Sequence, residues 1–155
     1  MPDISEVGGG DACRLAPEGR PFPAYNEEAF HYFLALERTR LERSNRPLML
    51  VLANARRRAP DPGRRHDQMT AQKLFSGLWR CTREADIIGW YRDGRVAGAV
   101  LTQDTPGSPA DVARQVRARV TAALRAELPP THWQNLRVHV VRLEPNAVTL
   151  AHNTR

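Results

Sequence analysis

Arginine is the side chain with the most chemical potential in this sequence. Lys73 is the only lysine among 23 Lys and Arg residues, so 22 are arginines. The planar guanidinium group can bind phosphates and guanine edges through two parallel hydrogen bonds. An aspartate follows an arginine by three positions at three places in the chain. These pairs are Arg58/Asp61, Arg64/Asp67 and Arg83/Asp86. The composition therefore permits an anionic ligand without requiring one.

Other combinations of residues that carry out chemistry are not evident. The five histidines have no spacing typical of a metal site. They are His31, His66, His132, His139 and His152. No Ser/His/Asp or Cys/His set can be read, because Ser76 and Ser108 are better explained as a helix residue and a helix cap. Cys13 and Cys81 form no Cys-x-x-Cys motif, so we expect two free thiols and neither a disulfide nor a zinc site. No metal or cofactor is expected.

The basic charge raises nucleic acid as a further class of partner. The net charge is +6 and the isoelectric point is about 10.3. Residues 55–67, A-R-R-R-A-P-D-P-G-R-R-H-D, are predicted to be a basic loop with two prolines. Such charge favours phosphate backbones, but a strong bias to arginine can also follow from genome composition. Weak nucleic-acid binding by this loop is therefore kept as the last of three possible functions, behind the two given below, and nucleic acid is not the expected partner.

A β-hairpin is the clearest local structure. Residues 83–101 read R-E-A-D-I-I-G-W-Y-R-D-G-R-V-A-G-A-V-L, with strand-forming residues on both sides of Asp93-Gly94. Asp-Gly accommodates the positive φ angles of a type I′ turn, which is the strongest short-range hairpin signal. We therefore expect two paired strands joined by this turn.

The elements around the hairpin predict the fold class. They are a helix from the Asn26 cap to Asn45, a buried strand at 48–52, a helix at 69–82, a helix capped by Ser108, and a half-buried strand at 136–140. This order is typical of an α+β fold of the ferredoxin-like kind, a mostly antiparallel sheet with helices on one face. We expect the domain to span residues 25–145, between a flexible leader at 1–24 and a tail at 146–155.

From residue 26 to about residue 145 the chain resembles the GGDEF family, the catalytic domain of diguanylate cyclases. A helix rich in glutamate and arginine precedes R-P-L-M-L-V-L at 46–52, which is similar to the family's first strand. After a second helix comes R-E-A-D at 83–86, and the hairpin turn follows five residues later. A capped helix and a final strand complete the order. The resemblance implies a nucleotide-cyclase-like sheet.

The resemblance also implies that catalysis has been lost. The family makes cyclic di-GMP from two GTP with a G-G-D/E-E-F turn, whose glycines approach phosphates and whose acids hold metal. The corresponding residues here are Arg92, Asp93, Gly94, Arg95 and Val96. The family's metal-binding aspartate at the end of the first strand falls on Asn54, and an amide is a weaker Mg²⁺ ligand than a carboxylate. We therefore expect a degenerate domain that is not an enzyme.

The family's product-binding inhibitory site has a counterpart that could have survived. That site uses R-x-x-D ending five residues before the signature, and only Arg83/Asp86 has this position. Arg83 would bind guanine O6 and N7, and Asp86 would accept from N1–H and N2–H. Arg114, or next Arg117, would add a guanidinium from the following helix. The structural alternative is that Asp86 caps a turn and Arg83 ends a helix favourably.

The sequence and the family resemblance indicate two functions, in addition to weak nucleic-acid binding. The first is a non-catalytic GGDEF-like regulatory domain in bacterial signalling that binds cyclic di-GMP. The alternative is a protein-interaction or scaffold domain without nucleotide binding. A protein partner or a second copy is expected in either case. No apolar run approaches the roughly 18 residues that span a membrane, and the N-terminus lacks the pattern of a secretion signal, so we expect a cytoplasmic protein.

Overall fold

The computed structural model describes residues 24–55, 66–83, 85–102 and 107–144. The elements, in chain order, are α1 (Glu27–Ser44), β1 (Leu48–Ala55), α2 (Gln68–Arg80), β2 (Ile87–Arg92), β3 (Val96–Leu101), α3 (Pro109–Glu127), a 3₁₀ helix (Pro130–Asn135) and β4 (Leu136–Leu143). The leader up to residue 23, residues 56–65 of the basic loop and the tail from residue 145 lie outside the described residues.

Side-chain caps define the ends of the helices, as the sequence predicted for α1 and α3. The Asn26 side chain accepts from the Ala29 N–H at 2.8 Å, and Ser108 accepts from the Asp111 N–H at 3.2 Å. Asn45 ends α1 in the left-handed conformation, with φ of 58°. These caps satisfy backbone groups that have no partner inside the helix, and they separate the helices from the strands.

The four strands form one antiparallel sheet in the order β2-β3-β1-β4. With α2 and α3 as the two connections, this is the split β-α-β arrangement of ferredoxin-like folds. β2 and β3 form the predicted hairpin, and β1 lies in the centre between β3 and β4. The α+β fold class predicted from the sequence is confirmed.

Helices cover both faces of this sheet, so the prediction that they lie on one face is wrong. Alternate β1 residues Met49 and Val51 pack in one core cluster with α2 and α3. Leu48 and Leu50 belong to a second cluster that includes Phe30 of α1. The reason lies in β1 itself, because consecutive apolar residues point to opposite faces of a strand and each face must be covered.

The second connecting helix, α3, buries one stripe along its whole length. The stripe is spaced by four residues and consists of Val112, Val116, Val120 and Leu124. Gly77 of α2 lies against Leu124, so closely that a Cβ there would be 2.6 Å from a Leu124 methyl carbon. None of the helices within the described ranges is long and apolar enough to span a membrane.

The hairpin turn differs from the predicted type. The Arg95 N–H donates to the Arg92 carbonyl at 2.9 Å, so Asp93 and Gly94 are the central residues. Gly94 has φ of 70°, whereas Asp93 is not among the described residues with positive φ. A type I′ turn needs positive φ at both central positions, so that prediction is wrong; glycine at the third position fits a type II turn. The register also shifts between Trp90 and Arg92, which changes the geometry that the turn must close.

Candidate functional site

The Asp86 carboxylate joins two segments at the edge of the sheet where β2 begins and β3 ends. One oxygen, Oδ2, accepts from the Arg83 N–H at 2.9 Å. The other, Oδ1, accepts from the Thr102 N–H at 3.2 Å, and the Thr102 hydroxyl lies 3.5 Å from the same oxygen. The Asp86 N–H in turn donates to the Arg83 carbonyl at 3.0 Å. Arg83 and Asp86 thus form a reciprocal turn, and Asp86 attaches that turn to the end of β3.

The Arg83 side chain takes no part in this bonding. Arg83 is exposed, and its guanidinium forms no ion pair with any residue in the described part of the chain. Only its backbone N–H and carbonyl take part in the turn. An exposed arginine therefore lies three positions before a carboxylate whose orientation is held by two backbone N–H groups.

Arg114 lies on the second turn of α3, in an ion pair of its own. Its Nη2 is 2.6 Å from Oδ1 of Asp111, and both side chains are exposed. α3 connects the end of β3 to the start of β4. Because β4 begins at Leu136, which is paired with Ala55 at the end of β1, α3 ends at the opposite end of the sheet from Asp86. The first turns of α3 therefore belong to the same end of the sheet as Asp86. No hydrogen bond or ion pair joins Arg114 to either Arg83 or Asp86, so the topology brings the three residues to one end without direct contact.

A further arginine, Arg119 of α3, influences the Cys81 thiol at the end of α2, and the sequence did not single it out. Burial raises the pKa of the Cys81 thiol above its ordinary value, and the Arg119 guanidinium opposes that increase. Asp86 acts on the same thiol in the opposite sense to Arg119. Both charges are therefore close enough to influence Cys81 at the end of α2. In the sequence, Arg119 is marked only by its position five residues after Arg114, and that position alone does not indicate a role.

A basic cavity of about 530 Å³ adjoins Asp86 through a shared residue. It lies between the end of α1 and the start of β1. Its wall includes Thr102, whose N–H Asp86 binds, together with Arg40, Arg43, Arg46, Leu41 and Leu48. Arg40 forms a 2.6 Å ion pair with Glu37, which also lines the cavity. The cavity combines an apolar floor with guanidinium groups, and this lining suits a planar anionic ligand.

The opposite end of the sheet is closed by His66. The Ala55 N–H donates to Nε2 of His66 at 3.0 Å, and Nδ1 lies 3.0 Å from the Gly94 carbonyl. The His66 N–H donates to the same carbonyl at 2.7 Å, and the ring stacks on Trp90. Because Nε2 accepts a hydrogen bond, the proton must be on Nδ1, which can then donate to Gly94. His66 thus connects the end of β1 to the hairpin turn.

The residues around this turn are also bound to α1. The Asp93 N–H donates to Oε1 of Glu27 at 2.6 Å, and Nε2 of His31 lies 2.8 Å from the Tyr91 carbonyl. Asn54 is half-buried one residue before the end of β1. Among the described residues, no group of three or more His, Cys, Asp or Glu side chains is arranged to hold a metal ion.

Comparison with known proteins identifies the fold. The chain matches no family model and no curated protein. It is similar to the solved GGDEF domain of TpbB (YfiN) from Pseudomonas aeruginosa, with 15% identity and a TM-score of 0.52, over 83% of this chain and 80% of that one. It is also similar to a sensory box/GGDEF family protein from Caulobacter crescentus, with 14% identity and a TM-score of 0.55, over 93% of this chain and 94% of that one. The chain therefore has a GGDEF-like fold.

Proposed function

We propose that this chain is a non-catalytic GGDEF-like regulatory domain that binds cyclic di-GMP through Arg83, Asp86 and Arg114. The observation that carries the proposal is the Arg83–Asp86 turn. Two backbone N–H groups orient the carboxylate of Asp86, while the neighbouring Arg83 guanidinium remains exposed. A preoriented acceptor beside a free fork of donors suits a guanine edge, and preorganisation lowers the cost of binding.

The surrounding charge and shape support an anionic dinucleotide. Cyclic di-GMP has two phosphates and two guanines, and the basic cavity shares Thr102 with the Asp86 turn. Arg114 belongs to the same end of the sheet, where its exposed pair with Asp111 can exchange for a phosphate at little cost because such pairs are weak. We expect micromolar or better affinity, which corresponds to about 8 kcal/mol.

The hairpin end of the domain supports the non-catalytic part of the proposal. A diguanylate cyclase needs room for GTP and acids for metal at this turn. Here the ring of His66 bonds both Ala55 and Gly94, and an amide, Asn54, stands where the family's aspartate would be. The Asp93 N–H is engaged by Glu27. These contacts use the turn to hold the domain together instead of leaving it open to substrate.

Calorimetric titration with cyclic di-GMP tests the proposal directly. Each charge-assisted contact contributes about 1.5–3 kcal/mol, so Arg83→Ala should weaken binding about tenfold to a hundredfold. Arg58→Ala and Arg64→Ala, in the other two Arg-x-x-Asp pairs, are matched controls that should change affinity little. Binding that survives loss of both Arg83 and Asp86 would place the ligand elsewhere and contradict this site.

One observation favours the scaffold alternative. Both Asp86 oxygens already bond within the domain, so the pair could be kept for the turn alone. In that case no cyclic di-GMP would bind at high micromolar concentration, and the fold itself would serve a protein partner. The same titration, with GTP as a second ligand, separates the two functions.

A further inference from the structure

The hydrogen bonds of Asp86 limit what its carboxylate can still accept. A carboxylate has about four acceptor positions, two on each oxygen. Oδ1 faces Thr102, with the backbone N–H at 3.2 Å and the hydroxyl at 3.5 Å. Oδ2 faces the Arg83 backbone and accepts one N–H at 2.9 Å. Oδ1 is therefore covered from the β3 side, and Oδ2 is the oxygen with an open position.

This asymmetry matters for the recognition of a purine base. A guanine that donates N1–H and N2–H to one carboxylate needs both oxygens, one for each donor. With Oδ1 covered by Thr102, only one of the two donors can be accepted. Along the edge of guanine the order is N7, O6, N1, N2, so a base held by the Arg83 fork at N7 and O6 presents N1–H next. Oδ2 is also the oxygen that accepts from the Arg83 backbone N–H.

We propose that Thr102 restricts Asp86 to accepting one hydrogen bond from the bound base. Asp86 then accepts N1–H, and the exocyclic amine at position 2 is not recognised. This inference rests on the proposed cyclic di-GMP function and specifies its ligand class. The site takes cyclic dinucleotides whose bases carry O6, N7 and N1–H, so hypoxanthine is accepted as well as guanine. Adenine has no N1–H and carries an amine in place of O6, so it is rejected. Thr102 is a positioning residue, since it acts through Asp86.

Titration of the full chain with cyclic di-GMP, cyclic di-IMP and cyclic di-AMP tests this specificity. Because the amine at position 2 is unread, cyclic di-IMP should bind within about threefold of cyclic di-GMP. Cyclic di-AMP should bind about a hundredfold more weakly or worse, because a polar site left unpaired discriminates strongly. A tenfold or greater preference for cyclic di-GMP over cyclic di-IMP would show that the amine is read, since one hydrogen bond to a charged group is worth about that much. That result would overturn the inference while leaving the proposed function intact. Failure of all three ligands to bind would overturn the proposed function and this inference with it.

The variant Thr102→Ala tests the role of Thr102 itself. It removes the hydroxyl from Oδ1 and opens that oxygen, so the preference for cyclic di-GMP over cyclic di-IMP should rise about threefold to tenfold. The ratio of two affinities does not depend on the fraction of folded protein, so a merely structural effect would leave it unchanged. An unchanged ratio would therefore remove Thr102 from the explanation. Thr82→Ala is the matched control, because its hydroxyl donates to the carbonyl of Leu78 in α2, away from Asp86, and its loss should not change the ratio.

Discussion

Nε2 of His66 accepts a hydrogen bond from the Ala55 N–H at 3.0 Å, so a residue near the end of the basic loop is held against the last residue of β1. The same imidazole reaches the Gly94 carbonyl in the hairpin turn through Nδ1. One side chain thus joins three segments that are distant in the chain. This contact connects the end of β1 to the hairpin turn.

The first prediction concerns the stability that His66 provides. Ala55 is buried, so His66→Ala would leave its N–H without the present acceptor, and an unsatisfied buried group costs about 1–3 kcal/mol. The free energy of unfolding, measured by urea denaturation, should fall by that amount. His139→Ala, at an exposed position on β4, is the control. Equal stability of the two variants would show that the His66 contact is not important.

The second prediction concerns acid stability at the start of α2. The Asp67 side chain accepts from the Thr70 N–H at 2.7 Å, and this bond is the main reason that its pKa lies below the ordinary value of 3.8. A carboxyl group whose pKa is lowered in the folded state stabilises the protein at pH values above its pKa in the unfolded state. That contribution is lost as the pH falls through its pKa in the folded state. Asp67→Asn keeps a capping oxygen but cannot titrate. The decrease in stability between about pH 5 and pH 2 should be smaller in this variant than in the original chain. An identical decrease would assign the acid sensitivity to other groups.

The third prediction separates Asp86 from Arg83. Asp86 holds the turn to β3, so Asp86→Ala should weaken cyclic di-GMP binding and also reduce the free energy of unfolding by about 1 kcal/mol. Arg83→Ala should weaken binding without a comparable loss of stability, because its guanidinium has no described ion-pair partner. Thermal or urea unfolding alongside calorimetry checks both effects. Asp61→Ala, in another Arg-x-x-Asp pair, provides the control; a loss of stability without any change in binding would favour the scaffold alternative.

The fourth prediction concerns catalysis. Purified protein incubated with GTP and either Mg²⁺ or Mn²⁺ should form no cyclic di-GMP above the blank. The reason is chemical, because Asn54 and the turn Arg92–Arg95 lack the pairs of glycines and acids that hold phosphate and metal. Chromatography of the reaction detects the product. Sustained formation that disappears in an Asp93→Ala variant would contradict the non-catalytic proposal.

The fifth prediction concerns the basic loop, of which residues 56–65 lie outside the described residues. Any binding of a short DNA duplex should be weak, independent of sequence, and steeply reduced by salt, because phosphate contacts release counterions. Fluorescence anisotropy at increasing salt measures this. Replacing Arg56, Arg57 and Arg58 together with alanine should reduce the salt dependence. A tight, sequence-selective complex at physiological salt would instead favour the nucleic-acid interpretation.

The elements of the fold could be predicted because their signals are local. The Asn26 and Ser108 caps bond three residues ahead, and the stripe from Val112 to Leu124 repeats once per helical turn. The hairpin was equally visible, although its turn type was not, because the register shift at Trp90 depends on pairing between two strands. The candidate site was only partly visible. The spacing of Arg83 and Asp86 is local, whereas the bond from Asp86 to Thr102 spans a whole hairpin.

The sequence by itself determined the helices, the strands and their order, since each depends on residues within a few positions of one another and on the periodicity of apolar side chains. It also indicated that β1 is a buried strand, because all of residues 48–51 are apolar, although it placed the helices on one face of the sheet. Only the tertiary structure decided that α1 supplies the second cover, that His66 closes the hairpin end, and that Thr102 occupies one oxygen of Asp86. These relationships join residues far apart in the chain, and such contacts form only when the packing of the sheet and its helices has brought the segments together.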